Sequence, residues 1–255
     1  MIMTADSGVA RQNNRRPAKE GWNTLFIGAN RYSRQPGEPE PDMNALFPVA
    51  FLVEKNPGAV VEPHYHEAEQ FQVVVAGSGR MGLHKLDGVA VHYTGPYSSY
   101  GPIVAAEDGL QWFTLRNGYD HGARYMPAER LGLREGRARH QHREAAVDVP
   151  GVLSAAELAR LTATTGEEVL ALEADGMGAW RYRLPPGAAV SGPAPDTGGG
   201  QFWLVLEGSV TVEAGQSLPR HSCVFVAPDA AAARPLAGAQ GAEILCMQFS
   251  RRPRD

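Results

Sequence analysis

Short apolar runs separated by turn residues mark the chain from residue 47 onward. Phe47 to Glu54, Glu69 to Val75, Met81 to Leu86, Val89 to Tyr93 and Leu110 to Leu115 are β-rich and bounded by Gly, Pro or Asp. That pattern predicts the short strands of an all-β barrel. Asp87-Gly88 stands between two of these runs as a two-residue hairpin signal, which pairs Leu86 with Val89 and His84 with Val91. The same register groups His84 with the apolar face and turns His92 toward Lys85 and Thr94.

From Met126 to Asp148 the pattern lapses into Arg130, Arg134, Arg137, Arg139 and Arg143 among Glu and Gly, which reads as a polar linker. Ser154-Ala-Ala-Glu157 is a capping box that opens a short helix through Leu161. Beyond it GAAVSGPAPDTGGGQFWLVLEG, from Gly187 to Gly208, repeats GAVVEPHYHEAEQFQVVVAG, from Gly58 to Gly77. Gln201 precedes FWLVLEG as Gln70 precedes FQVVVAG, and AAEDGLQWFTLR from Ala105 matches AGAQGAEILCMQF from Ala237. The offset of about 130 residues is a full small domain. The expected organisation is a disordered tail over 1–21, an N-terminal β domain over 22–125, a linker over 126–153 and a C-terminal β domain over 154–255.

Composition narrows this without changing it. At 255 residues each half can bury its own core, and 29 Gly with 19 Pro suit a turn-rich β chain. A net charge of -4 argues against a nucleic-acid partner. No apolar run at the N-terminus reaches the length of a secretory signal or membrane span, so a cytoplasmic protein without a membrane partner is expected. Cys223 and Cys246 lie in apolar runs and read as core residues.

The candidate chemistry lies between Gly58 and Gly77. On a strand alternate side chains share a face, so His64 and His66 converge on one point while Tyr65 faces away. After three intervening residues, Glu67, Ala68 and Glu69, Gln70 returns on the next strand as a third metal ligand. A bare His-x-His is more often a pair of surface residues, which is the reading for His140 and His142 between Arg139 and Arg143. His121 and His221 carry no constellation.

The frame of glycine, five residues, His-x-His, three residues, a ligand, six residues and glycine resembles the first motif of the cupin family. It departs from that motif in having Gln70 where the family usually carries Glu. The resemblance implies two cupin barrels of double-stranded β-helix or jelly-roll type, a bicupin, and a homodimer. It also implies a divalent metal on His64, His66 and Gln70, with Fe(II) favoured and Zn, Mn or Ni as alternatives. Pro193 and Pro195 stand at the histidine positions of the second copy and Trp203 at the position of Gln72, so the second barrel is read as structural. The family's third histidine is absent from HYTGPYSSYGPIVA. Tyr100, His92 or water can replace it, while Tyr97 and Tyr100 can equally be tyrosines of a barrel rim. Gln72 shares the parity of Gln70, and Arg116 can either pair a substrate carboxylate or form a surface ion pair.

The leading expectation is a mononuclear metal-dependent enzyme acting on a small oxygenated molecule. Dioxygenase or isomerase chemistry on a chelating keto, diketone or hydroxy-aromatic substrate is expected, with Tyr100 or Glu69 moving a proton. The alternatives are a non-catalytic metal- or ligand-binding module and a metal-free isomerase or epimerase.

Overall fold

A computed structural model describes residues 1–29, 37–212 and 215–251. The chain divides into two compact units, Asn14–Pro150 and Met1–Asn13 with Gly151–Asp255. In the first, antiparallel strands follow the order Glu144–Asp148, Ala90–Thr94, Gln70–Met81, Ile103–Arg116, Val49–Lys55, Gly21–Ile27 and Arg15–Ala18. Alternation sorts their side chains onto two faces. Leu52, Phe71, Val73, Phe113 and Leu115 point into a fully buried layer, and Phe26 packs edge-on against Phe113 at 4.9 Å. Each such side chain contributes about 1.5–3 kcal/mol by leaving water. The other face of the same strands lines a cavity of about 710 Å³.

Register fixes the order of residues along that cavity. Arg116 lies opposite Val49, Thr114 opposite Phe51, Trp112 opposite Val53 and Leu110 opposite Lys55. Gln72 faces Thr114 from the other side, so Gln70 and Arg116 share one end of the barrel.

Three expectations are corrected. His84–Asp87 pairs back onto Gln70–Met81, with Met81 opposite His84 and Gly79 opposite Leu86, and does not form a hairpin with Ala90–Thr94. The turn falls at Gly82, whose φ of 57° is left-handed, with Leu83 beside it fully exposed. As a result His84 is partly exposed and contacts Asp148 at 3.0 Å, while His92 is buried. The polar linker is also structured. Its Glu144–Asp148 is a strand on the edge of Ala90–Thr94, and Arg130–Arg137 is a helix that buries Leu133. The N-terminal residues likewise form a strand, Ile2–Ala5, paired with Cys223–Val226, and a helix, Ser7–Asn14, which buries Ala10.

The second unit repeats the first six strands of this order, with no counterpart to Arg15–Ala18 among the described residues. Its order is Ile2–Ala5, Cys223–Val226, Gln201–Thr211, Leu236–Gln248, Gly178–Leu184 and Thr165–Leu170. Ile2–Ala5 therefore occupies the edge position that Glu144–Asp148 occupies in the first unit. The central strands of both units bend at a glycine, Gly77 with φ 78° and Gly208 with φ 74°. A Cβ at either would lie 2.2 Å from a facing carbonyl, that of Gly109 or of Gly241, so both bends require glycine. The helix after Ser154 has its capping box but spans only Ala155–Leu158, shorter than expected.

Candidate active site

The strand His64–Tyr65 and the turn after it bring both histidines into the first unit's cavity. The Nδ1 of His64 lies 2.7 Å from the carbonyl of Glu62. A carbonyl can only accept, so Nδ1 carries the proton and Nε2 keeps its lone pair. Burial, then the neighbouring His66, holds the His64 pKa down to about 3, so the ring is neutral at physiological pH. Its Nε2 accepts from the Tyr100 hydroxyl at 2.9 Å. The rings of His64 and His66 meet edge to face with centroids 5.2 Å apart.

His66 is anchored in the same way by a residue the sequence reading did not single out, the buried Asp120. Its Nδ1 donates to Asp120 Oδ2 at 2.9 Å, and Arg116 Nη1 reaches the same oxygen at 2.9 Å. Burial alone would raise the Asp120 pKa, but the Arg116 charge, helped by the hydrogen bonds from His66 and Gly122, more than offsets it and holds the carboxyl well below its usual range. The backbone amides of Glu67 and Gly122 donate to Asp120 at 3.0 and 2.8 Å. Asp120 follows a strand end, in a turn without periodicity, so no pattern in the sequence marks it.

Arg116 lies inside the cavity, not on the surface. Its Nε and Nη2 donate to Gln70 Oε1 at 3.0 and 2.8 Å. Nη2 is also 3.1 and 3.2 Å from the two ring nitrogens of His66. One atom nearly equidistant from both lies over the ring face, so this is stacking and leaves the in-plane Nε2 lone pair clear. Gln70 completes the link by donating from Nε2 to Tyr100 at 2.6 Å. Burial pushes the Tyr100 phenol far above its ordinary range despite Arg116 and Gln70, so it keeps its proton.

The structure thus gathers His64, His66, Gln70, Tyr100, Arg116 and Gln72 around one cavity. It does not bring Glu69 or Tyr97 there. Glu69 has the opposite parity from Gln70 and accepts from Tyr93 at 2.8 Å, so the catalytic role expected of it is corrected. Tyr97 stacks on His140 at 5.2 Å. His92 stands behind the cavity wall, 2.9 Å from Gln72 Oε1 and 3.2 Å from Glu144.

The imidazoles fit a divalent metal. Metal-binding histidines normally donate their second N–H to a carbonyl or carboxylate, as both do here, and their Nε2 atoms face a common buried space with Tyr100 and Gln70 as neutral oxygen donors. Among the described residues no three His, Cys, Asp or Glu side chains form a ligating group, so any further protein ligand must be one of these neutral oxygens.

In the second unit the equivalent space is filled. The Trp203 indole is buried in the core, and a Cβ on Gly192 would meet it at 2.6 Å. Gln201 pairs with Gln248 at 2.8 Å, where the first unit has Gln70 and the charged Arg116.

An antiparallel barrel of this topology, present twice, with a His-x-His pair turned into one interior, is the all-β cupin fold. The family profile described as Cupin matches residues 39–86. A candidate dioxygenase from Nostoc punctiforme superposes with a TM-score of 0.62 at 10% identity, covering 100% of this chain and 88% of that one. A bacterial pirin from Escherichia coli, in complex with nickel(II), gives 0.61 at 11% identity over 99% and 100% of the two chains. The oxalate decarboxylase of Bacillus subtilis, which has Mn(II) centers, gives 0.58 at 12% identity over 100% and 78%. No curated protein matches by sequence. Together these likenesses show the cupin fold, and the two-barrel arrangement fits the neighbours. Among the described residues no helix is long and apolar enough to cross a membrane.

Proposed function

We propose that the Asn14–Pro150 unit is a metal-dependent cupin active site. Its substrate is a small oxygenated anion, a chelating keto acid, β-diketone or hydroxy-aromatic, and its chemistry is of dioxygenase or isomerase type. The observation that carries this reading is the pair of histidines whose Nδ1 protons are tied to Glu62 and Asp120, leaving both Nε2 atoms inward. The nickel of the pirin and the manganese of the decarboxylase lend support to a divalent metal here, and Fe(II) is the choice for dioxygenase chemistry. When bound, such a metal would be held by His64 and His66 with Gln70 or Tyr100 and would supply a Lewis acid.

The chain's own residues do the rest. Arg116 presents donors toward substrate oxygens while Asp120 fixes its plane and, through His66, the ring tautomer. Once His64 Nε2 holds a metal it no longer accepts the hydrogen bond from Tyr100, so the freed phenol can donate its proton to a developing oxyanion and retrieve it. Phe51, Val53 and Trp112 give the cavity apolar walls against which the substrate body would pack. The test is turnover with oxygen uptake on a panel of keto acids and diketones. Tyr100→Phe is expected to lose about 10²–10⁴-fold in kcat, and undiminished turnover would remove Tyr100 from the chemistry.

One observation favours a second, metal-free reading as a ligand-binding or acid–base barrel. Gln70 Oε1 is already engaged by two Arg116 nitrogens, and a fixed cation there competes with a metal for the same oxygen. Metal content decides between the two.

A further inference from the structure

The cavity extends well beyond the histidines, and the ladder register orders its wall. From the Arg116 and Val49 level the inward side chains pass through Thr114 with Phe51, then Trp112 with Val53, to Lys55. Six residues separate Val49 from Lys55, a strand distance of about 20 Å. The middle of this path is apolar, with Ile103 and Val61 joining Phe51, Val53 and Trp112. The far end is cationic, where Lys19 stands with Lys55, and Arg16 lines the wall at the level of Val53. The half-buried Lys55 ammonium is oriented by donation to the Lys19 carbonyl.

Charge runs the same way. Among the described residues Arg16, Lys19, Lys55 and Arg116 line the cavity with Asp120 as its one carboxylate, in a protein whose net charge is -4. Arg116 is neutralised by Asp120. Among the described residues no ion pair answers Arg16, Lys19 or Lys55, although Glu20 acts on Lys55 electrostatically. A positive patch at the end of an apolar passage in an acidic protein attracts and holds an anion.

We infer that the ligand of this cavity is an elongated molecule with two anionic ends. A keto-acid or enolate head lies beside Arg116 and the histidines, an aromatic or aliphatic body lies against Phe51, Val53 and Trp112, and a second carboxylate or phosphate lies at Lys19 and Lys55. This rests on the proposed reading of the site as a small-molecule pocket. It deepens that reading by naming the far end of the ligand.

The experiment is calorimetric binding of two synthetic acids to the full chain, 4-(biphenyl-4-yl)-2-oxobutanoate and its 4'-carboxylated counterpart, whose two rings carry the second carboxylate along the apolar passage toward Lys55. The doubly charged acid is expected to bind about tenfold or more tightly, with a steeper loss of affinity as salt is raised. In a Lys19→Gln, Lys55→Gln variant with a wild-type melting curve that advantage should vanish while the singly charged acid binds as before. Equal affinities in the wild type, a preference that survives in the variant, or no binding of either acid would each overturn the inference. Arg116→Gln separates this from the underlying reading. Loss of both acids in that variant supports the pocket even if the second anion makes no difference, and unchanged binding of both would sink the pocket reading itself.

Discussion

At the scale of single residues the site is held together by Asp120. It lies under Arg116 and His66 at once, and it is 7% exposed, so its charge is matched inside the fold and not by water. Breaking a buried ion pair from one side leaves the other charge unanswered, at about 3–5 kcal/mol. Asp120→Ala should therefore lower unfolding stability by about 3 kcal/mol or more in urea, whereas a loss under about 1 kcal/mol would show that Arg116 finds water or another partner. Strand alternation and motif spacing point His64, His66 and Gln70 at one interior, whereas the sequence leaves Tyr100 open between rim and site and Arg116 open between cavity and surface. Asp120 was not legible, because a turn obeys no period and its role depends on a contact with His66, 54 residues away. Glu69 was misjudged although alternation spoke against it, since its neighbour Gln70 takes the inward face.

At the scale of elements, strand existence was legible and pairing was not. Asp87-Gly88 and Met81-Gly82 are competing turn signals, and the second prevails because Gly82 joins strands that continue the long ladder from Gln70. The strand Glu144–Asp148 was hidden by the arginines before it, and its partner Ala90–Thr94 is distant in sequence. One loop-to-site contact has a pH signature. Burial pulls the His121 pKa down, but hydrogen bonds to Glu67 and Glu40 outweigh that and raise it. A raised folded-state value gives stability that is full below about pH 6.5, the unfolded value, and lost as pH rises through the folded value. The melting temperature should therefore fall as pH rises above about 6.5, and His121→Asn should flatten that fall. An identical slope in the variant would mean that the contact with Glu40 and Glu67 does not form in solution.

For the whole molecule, the repeat was the most legible feature, since Gly77 with Gly109 and Gly208 with Gly241 mark the same bend in both barrels. What the sequence obscured is which outer strand serves which unit. Ile2–Ala5 belongs to the unit containing Gly151–Asp255, because an open sheet edge gains backbone hydrogen bonds from whatever strand can reach it. The two barrels differ in what fills them. Trp203 is 3% exposed and packs on Tyr182 at 5.8 Å, so Trp203→Ala should cost about 3–5 kcal/mol. It should leave ligand binding in the first barrel unchanged. A small stability loss would imply an open interior in the second barrel and reopen the question of a site there.

His64 and His66 are proposed to hold a divalent metal, and elemental analysis by mass spectrometry can show whether they do. The untagged protein, purified without chelator, is measured beside a His64→Ala, His66→Ala variant. Near-stoichiometric metal in the wild type and none in the still-folded variant is the predicted result. Equal metal in both, or none in the wild type even after incubation with Fe(II), Mn(II), Ni(II) or Zn(II), would contradict it and leave Arg116 as the resident cation of the site.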